Sequence, residues 1–325
     1  MIRFIIKRLF LFIPVLIGVT FIVFTIDALS PGDPAAIILG NAASPEALEQ
    51  LHEEMGLDDP LVIRYGNYMK NACTGDLGKS YKTKLPISAQ VKEKVPNTVI
   101  LAVAGMIIAV IIGIPSGVLC AKHADSIFDR ILMFFTLLFI SAPAFWVGLL
   151  LIICFSLNLK WFPSSGMGDG FIGSLRSLVL PGMTTGLSSA AVICRMTRSS
   201  MLEVIQQDFI SLARAKGVKE SKVTTRHMLK NALIPVVTVI GLQFGVLLGG
   251  AVMTETVFAW PGLGRYVMDA IKSKDSPAIL GAVIVMTIMV ALVNLIVDIL
   301  YAYIDPRIKA QYEQAVQKKN VRKKV

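Results

Sequence analysis

QQDFISLARAKGVKESKVTTRHMLKNALIP, residues 206–235, is the stretch on which the fold turns. It is a long polar interval between apolar runs, and it reads as two short helices parted by a glycine. Asp208 can cap a helix whose Phe209, Leu212 and Ala213 share one face while Arg214 and Lys216 project from another. Gly217 stops that helix, because glycine takes the left-handed backbone of a C-cap without a steric cost. Residues 209–216 are therefore predicted to form a short helix ending in a sharp bend. A second helix starts near Ser221, carries Lys222, Arg226 and Lys230, and runs to Ile234-Pro235, where proline opens or kinks the next apolar helix. Two small amphipathic helices at a membrane face make a docking element. A helix that merely lies on anionic lipid has no use for the glycine stop or for a second helix.

Composition sets the class around this stretch. With 54% hydrophobic residues and a mean hydropathy of +0.68, the chain is a polytopic membrane protein. Six apolar runs fit spans, at 9–29, 98–121, 131–155, 178–194, 234–253 and 279–303. The first is long enough to cross a bilayer, and no A-x-A cleavage site precedes Pro31, so it reads as an uncleaved span. Six spans put both ends on one side. Segments 1–8, 122–130, 195–233 and 305–325 hold 20 of the 32 Lys and Arg on fewer residues than the other side, which predicts both termini inside. The net charge of +10 thus fixes topology and is no nucleic-acid footprint.

The one large outer segment, 31–96, opens with the turn Pro31-Gly32-Asp33-Pro34. It predicts a helix over 45–55, with Ser44 as N-cap and Gly56 as stop, and a second near 61–71. Its first half is acidic and its second basic, a pattern that orients a docking protein. Gly75-Asp76-Leu77-Gly78-Lys79-Ser80 ends like a phosphate-binding loop, but Cys73 stands where that motif needs its first glycine, and no strand precedes it. The chain carries no nucleotide site on this reading. Cys73, Cys120, Cys154 and Cys194 form no disulfide framework or metal motif, and His52, His123 and His227 make no ligand pair.

Inside the spans, Gly113, Pro115 and Gly117, Ser141-Ala142-Pro143, and the glycines of 241–250 mark helix contacts or breaks. Gln243 and Asn294 are amides midway along apolar helices and must face another helix or a watery path. The division is then 1–30 as first span, 31–96 as outer helical segment, 97–304 as transmembrane core with coupling loop 203–233, and 305–325 as a basic tail.

Residues Ala213, Ala215, Gly217, Ile234 and Pro235, with Asp208, resemble the loop by which ABC importer permeases seat a coupling helix in an ATPase groove. Thr254-Glu255-Thr256-Val257-Phe258-Ala259-Trp260-Pro261-Gly262-Leu263-Gly264, RMTRSSMLEV at 195–204, PGDP, GDLG-x-S and DPRI at 305–308 are similar to the dipeptide, oligopeptide and nickel branch of that family. The resemblance points to the first of its two permeases.

It implies an all-α type I importer permease fold of six transmembrane helices in a bacterial cell membrane. The implied partners are a second permease, two cytoplasmic ATPases that bind the ATP, and an extracytoplasmic binding protein delivering peptide. The chain itself would hold no cofactor or metal and catalyse nothing. Coupling falls to Asp208, Phe209, Ala213, Arg214, Ala215, Lys216 and Gly217, and the path to Gln243, Asn294 and Glu255. Nickel chelate and haem permeases share these motifs. An ion-coupled carrier using Glu255, Asp298 or Asp27 is the reading from another class, but these acids lie near span ends and no inverted repeat is visible.

Overall fold

The structure, a computed structural model, describes residues 2–30, 33–40 and 44–304. Among them the chain runs as helices and connections: α1 Ile2–Leu29, α2 Pro34–Leu39, α3 Pro45–Met55, α4 Leu61–Cys73, α5 Ile87–Lys122, α6 Ile127–Ser141, α7 Ala144–Asn158, α8 Gly170–Ile205, α9 Asp208–Ala215, α10 Glu220–Val257, α11 Leu263–Lys272 and α12 Ser276–Ile304. Parts of α1, α5, α8, α10 and α12 are each long and apolar enough to cross a membrane, and the chain is a multi-pass membrane protein. DPRI and the Lys-rich tail lie outside the described residues, as do Pro31 and Gly32 of the PGDP turn.

The third expected span is two helices. α6 and α7 meet at an angle of 111°. Pro143 has no N–H to continue α6 and pushes Ala142 into extended backbone, at φ −73° and ψ 131°. Counted as one broken span, the pair brings the total to six. Helices α5 and α8 begin well before their apolar runs, so the boundary at residue 96 falls inside α5. The fifth span absorbs the second helix of the opening stretch. α10 is unbroken from Glu220, passes through a π-helical turn at Val223–Leu229, and carries Pro235 in its interior.

The chain forms two compact units. The first comprises Met1–Leu101, Gly148–Pro181 and Leu248–Ala291. In it, α4 lies against α1. The Tyr65 ring stands edge-on to Phe21, 5.1 Å between centroids, and the Tyr65 hydroxyl is 2.8 Å from Thr20 Oγ1. Helix α3 has the expected caps, with Ser44 Oγ accepting the Ala47 N–H at 3.2 Å and Gly56 in the left-handed region. Asp33 accepts the Ala35 N–H and caps α2 where only a turn was expected. A core of Leu77, Ile87, Val91, Leu263, Val267 and Ala282 joins α5, α11 and α12.

The second unit comprises Ala102–Val147, Gly182–Leu247 and Leu292–Val325. Its helices α5 and α8 touch backbone to backbone. A Cβ on Gly113 would sit 2.7 Å from the Ala190 carbonyl, and one on Gly117 2.6 Å from that of Cys194, so only glycine fits there.

Candidate functional site

Helix α9 is rooted on one face and bare on the next. Ile210 and Ala213, three residues apart, are buried with Met201, Val223, Met228 and Ala232. Phe209 and Leu212, expected to share one face with Ala213, are 42% and 56% exposed, whereas Ala213 is buried. Asp208, Arg214, Ala215 and Lys216 are exposed as well. The N-cap is Gln207, in extended backbone, and no side chain caps the helix. Asp208 is therefore the first helical residue, where its charge meets the positive end of the helix dipole.

The stop is the one expected from glycine. Gly217 has φ +74°. Its N–H donates to the Arg214 carbonyl at 2.9 Å and the Val218 N–H donates to Ala213 at 3.2 Å, the paired bonds of a Schellman ending. Val218 packs on the same apolar cluster as Ala213. Arg214 then reaches across the bend with two N–H groups, at 3.2 and 2.7 Å from the Glu220 carboxylate. These bonds span the bend between α9 and α10.

An ion pair that the sequence reading missed lies elsewhere in this unit. Arg198 on α8 donates two hydrogen bonds, 2.8 and 2.6 Å, to Asp129, which is 2% exposed at the start of α6. The pair fixes α6 to the helix that leads into α9, and its bidentate geometry suits arginine alone.

The three residues expected on the path fare differently. Gln243 donates to Ser189 Oγ at 3.3 Å, tying α10 to α8. Asn294 is exposed, and its amide oxygen lies 2.7 Å from where a Cβ on Gly245 would be, so the amide fills that notch. Glu255, in the first unit, is wholly buried. Its carboxylate accepts the Thr98 hydroxyl at 2.6 Å and the Arg265 N–H at 3.0 Å, and a Cβ on Gly262 would collide with it. Trp260 donates to the Asn97 carbonyl at 3.0 Å, and Asn97 donates back to Pro261 at 2.9 Å. The 254–265 stretch is a closed turn wrapped on the Glu255 carboxylate.

Residues 113–310 match the family described as the binding-protein-dependent transport system inner membrane component, and residues 1–102 match that system's N-terminal membrane component. The chain belongs to this family. The dipeptide transport system permease protein DppB of Alkalihalophilus pseudofirmus is 44% identical to this permease over 332 residues, covering 95% of this chain and 100% of that one. Its namesake in Escherichia coli is 42% identical over 336 residues, covering 95% and 99%. Among solved structures, an inward-facing form of the MetNI methionine ABC transporter aligns with a TM-score of 0.55 at 19% identity, over 66% of this chain and 96% of that chain. That likeness speaks to the fold, a type I importer permease. Permeases of this family work with ATPase and substrate-binding components and are not enzymes.

The permease also shows what its phosphate-loop look-alike does. The Ser80 hydroxyl donates to Asp275, and the backbone N–H groups of Tyr81 and Lys82 donate to the same carboxylate at 3.0 and 3.4 Å. Successive N–H groups form an anion nest, and the anion is the chain's own. Burial, with Asp27 and Asp275 nearby, pushes the Tyr81 phenol up to about 12.

Proposed function

We propose that this permease is one of two membrane subunits of an ATP-driven importer of peptides, with α9 as its contact to an ATPase. The observation that carries the proposal is the split surface of α9. Ile210 and Ala213 root it, and Phe209 and Leu212 stand exposed beside Asp208, Ala215 and Lys216. Apolar side chains held outward on a rigidly braced helix are anchors for a groove. The names of the relatives, both dipeptide permeases, support peptide as the cargo. On this reading both termini lie in the cytoplasm, as the Lys and Arg distribution supports, and two ATPases and a second, similar permease complete the assembly. The acidic α3 and the lysines of 79–94 receive the binding protein on the outer face.

In mechanism, the ATPases bind ATP and close, α9 follows the groove that holds it, and its Gly217 and Arg214–Glu220 brace passes the displacement to α10. The spans then open to the other side. This chain supplies the path and the lever and holds no cofactor of its own.

Isolating the tagged chain from its native membrane tests the assembly, and peptide uptake into vesicles tests the cargo. ATPase subunits and a second permease are expected to copurify, and Leu212→Asp is expected to release the ATPases. Uptake that continues without ATP, or an Leu212→Asp chain that keeps its ATPases, refutes the reading.

A further inference from the structure

Helix α10 carries an extra residue close to α9. Its π-helical turn spans Val223–Leu229, with α-helix before it at Glu220–Lys222 and after it from Lys230. Bonds from residue i to i+5 widen such a turn by one residue. No proline or glycine stands in it to force the widening, so packing is the cause. Val223, Met228 and Ala232 all enter the apolar cluster that roots α9, five and then four residues apart. In an α-helix residues five apart point about 140° away from each other, and the widened turn is what brings Val223 round to face the same way as Met228. Thr224, four before Met228, is the residue that an unwidened helix sends there. It is buried as well, at 4% exposed, and its hydroxyl donates to the Glu220 carbonyl at 3.0 Å. Valine and threonine share a branched shape, and a hydroxyl bonded one turn back brings its own acceptor into an apolar site. The socket fits either neighbour.

We propose, building on the reading of α9 as the ATPase contact, that this turn is a two-position joint between α9 and the span. Val223 fills the socket in one position and Thr224 in the other. Between them the turn closes to α-helix and the extra residue passes into 217–219, which is already non-helical, so no helix has to break. Glu220 then turns about 100° and shifts about 1.5 Å along the helix axis. Arg214, held to Glu220 at 3.2 and 2.7 Å, ties α9 to that shift. Side-chain donors serve the carbonyls at either end of the turn, Thr225 bonding Ser221 at 2.9 Å and Asn231 bonding His227 at 2.7 Å, so the backbone there keeps partners as its own ladder slips. A socket that takes one of two side chains and nothing between them yields discrete settings, as packed cores do. The closing of the ATPases is received as a step of one residue, and Met228 and Ala232 stay in place downstream.

The test uses the full chain assembled with its ATPases, with Cys73, Cys120, Cys154 and Cys194 replaced. Val223→Cys and Met228→Cys, in separate chains, are treated with a small thiol reagent, first without nucleotide and then with the ATPases held closed by ATP and vanadate. When the turn closes, position 223 takes the place of exposed Lys222, so its cysteine is expected to react about tenfold faster in one state than in the other. The cysteine at 228 is expected to stay protected in both. Equal protection of 223 in the two states overturns the joint, and so does an opening of 228 together with it. Deleting Thr225, an exposed residue, removes the extra residue and leaves Val223 four before the methionine, so both ends of the turn keep their facing and only one register remains. That chain is expected to keep its ATPases and lose most of its ATP-driven uptake, while Thr225→Ala transports as wild type does. Wild-type uptake in the deletion chain overturns the joint and makes the widened turn a matter of packing alone. Copurification of ATPases with the wild-type chain is read first and bears on the transport reading, whereas the cysteine and deletion results bear on the joint.

Discussion

Helix α9 and the turn at 254–265 are both short, both rich in apolar side chains, and both carry a carboxylate, yet they resolve opposite demands. In the turn the largest side chains point inward. Phe258, Trp260, Leu263 and Glu255 are each at most 1% exposed, and the carboxylate is matched by a hydroxyl and a backbone N–H. In α9 only Ile210 and Ala213 are buried, and Phe209 and Leu212 are left outside. The difference teaches that the longer, more specific motif is the one satisfied within the chain itself. A buried carboxylate constrains the residues that wrap it, whereas the exposed face proposed for docking asks mainly for apolar bulk and a fixed angle.

Substitutions that unwrap the turn should have the largest effect and should act on folding. Glu255→Ala strands the Thr98 hydroxyl and the Arg265 N–H in a dry interior, at a cost of about 3 kcal/mol or more. Thermal unfolding in detergent and the amount of chain in the membrane should both fall, and Glu255→Gln should recover part of the loss. An Glu255→Ala chain of normal stability and altered transport would return this carboxylate to the path and dissolve the contrast.

Next in size, α9 should divide by face. Ile210→Ala should cost about 2–4 kcal/mol of stability through its cavity. Leu212→Ser should stay within about 0.5 kcal/mol of wild type, as surface substitutions do, while ATP-driven uptake drops. Equal melting losses for the two variants would mean that both faces are buried in the chain itself.

Gly217→Val should be smaller again. A Cβ there meets nothing within 4 Å, so the cost is backbone strain alone, about 1–2 kcal/mol. ATP hydrolysis should persist while uptake falls, and Gly217→Asn, which tolerates the left-handed region, should restore it. Full uptake in the valine variant would free the bend from any role in coupling.

The mildest effects belong to Gln243 and Asn294. Cysteines at the two positions, with Cys73, Cys120, Cys154 and Cys194 replaced, should distinguish them. Position 294 is exposed and should react readily with a small water-soluble thiol reagent in the assembled transporter, and position 243, bonded to Ser189, should react slowly. Equal protection at both would reduce the amides to helix packing.

What was legible in the sequence was local. The caps of α3 at Ser44 and Gly56 and the stop at Gly217 follow from the chemistry of single residues, and the structure has them where they were read. The face of α9 was not legible, because eight residues make barely two turns and both Phe209-Leu212 and Ile210-Ala213 satisfy helical spacing. The early start of α5 escaped because Ser88, Lys92 and Glu93 lower the hydropathy there. Ile87 and Val91, four apart and buried on one face, are what hold that turn as helix. Pro143 stands out in the sequence, but the apolar residues on both sides of it hide how sharply it breaks the span. Asp129–Arg198 and Ser80–Asp275 join residues far apart in sequence, and no local pattern announces such pairs.

The Asp275 nest has a consequence for competition. A counter-ion that diffuses must be bought from solution at its bulk level, but this one is part of the chain and held beside the N–H groups of Tyr81 and Lys82. Its effective concentration exceeds the roughly millimolar value of a flexible tether, because no linker has to be searched. A diffusing anion meets a seat already taken, and Ser80 with the N–H groups of Tyr81 and Lys82 works as a clasp between the loop and the start of α12, fastened from within.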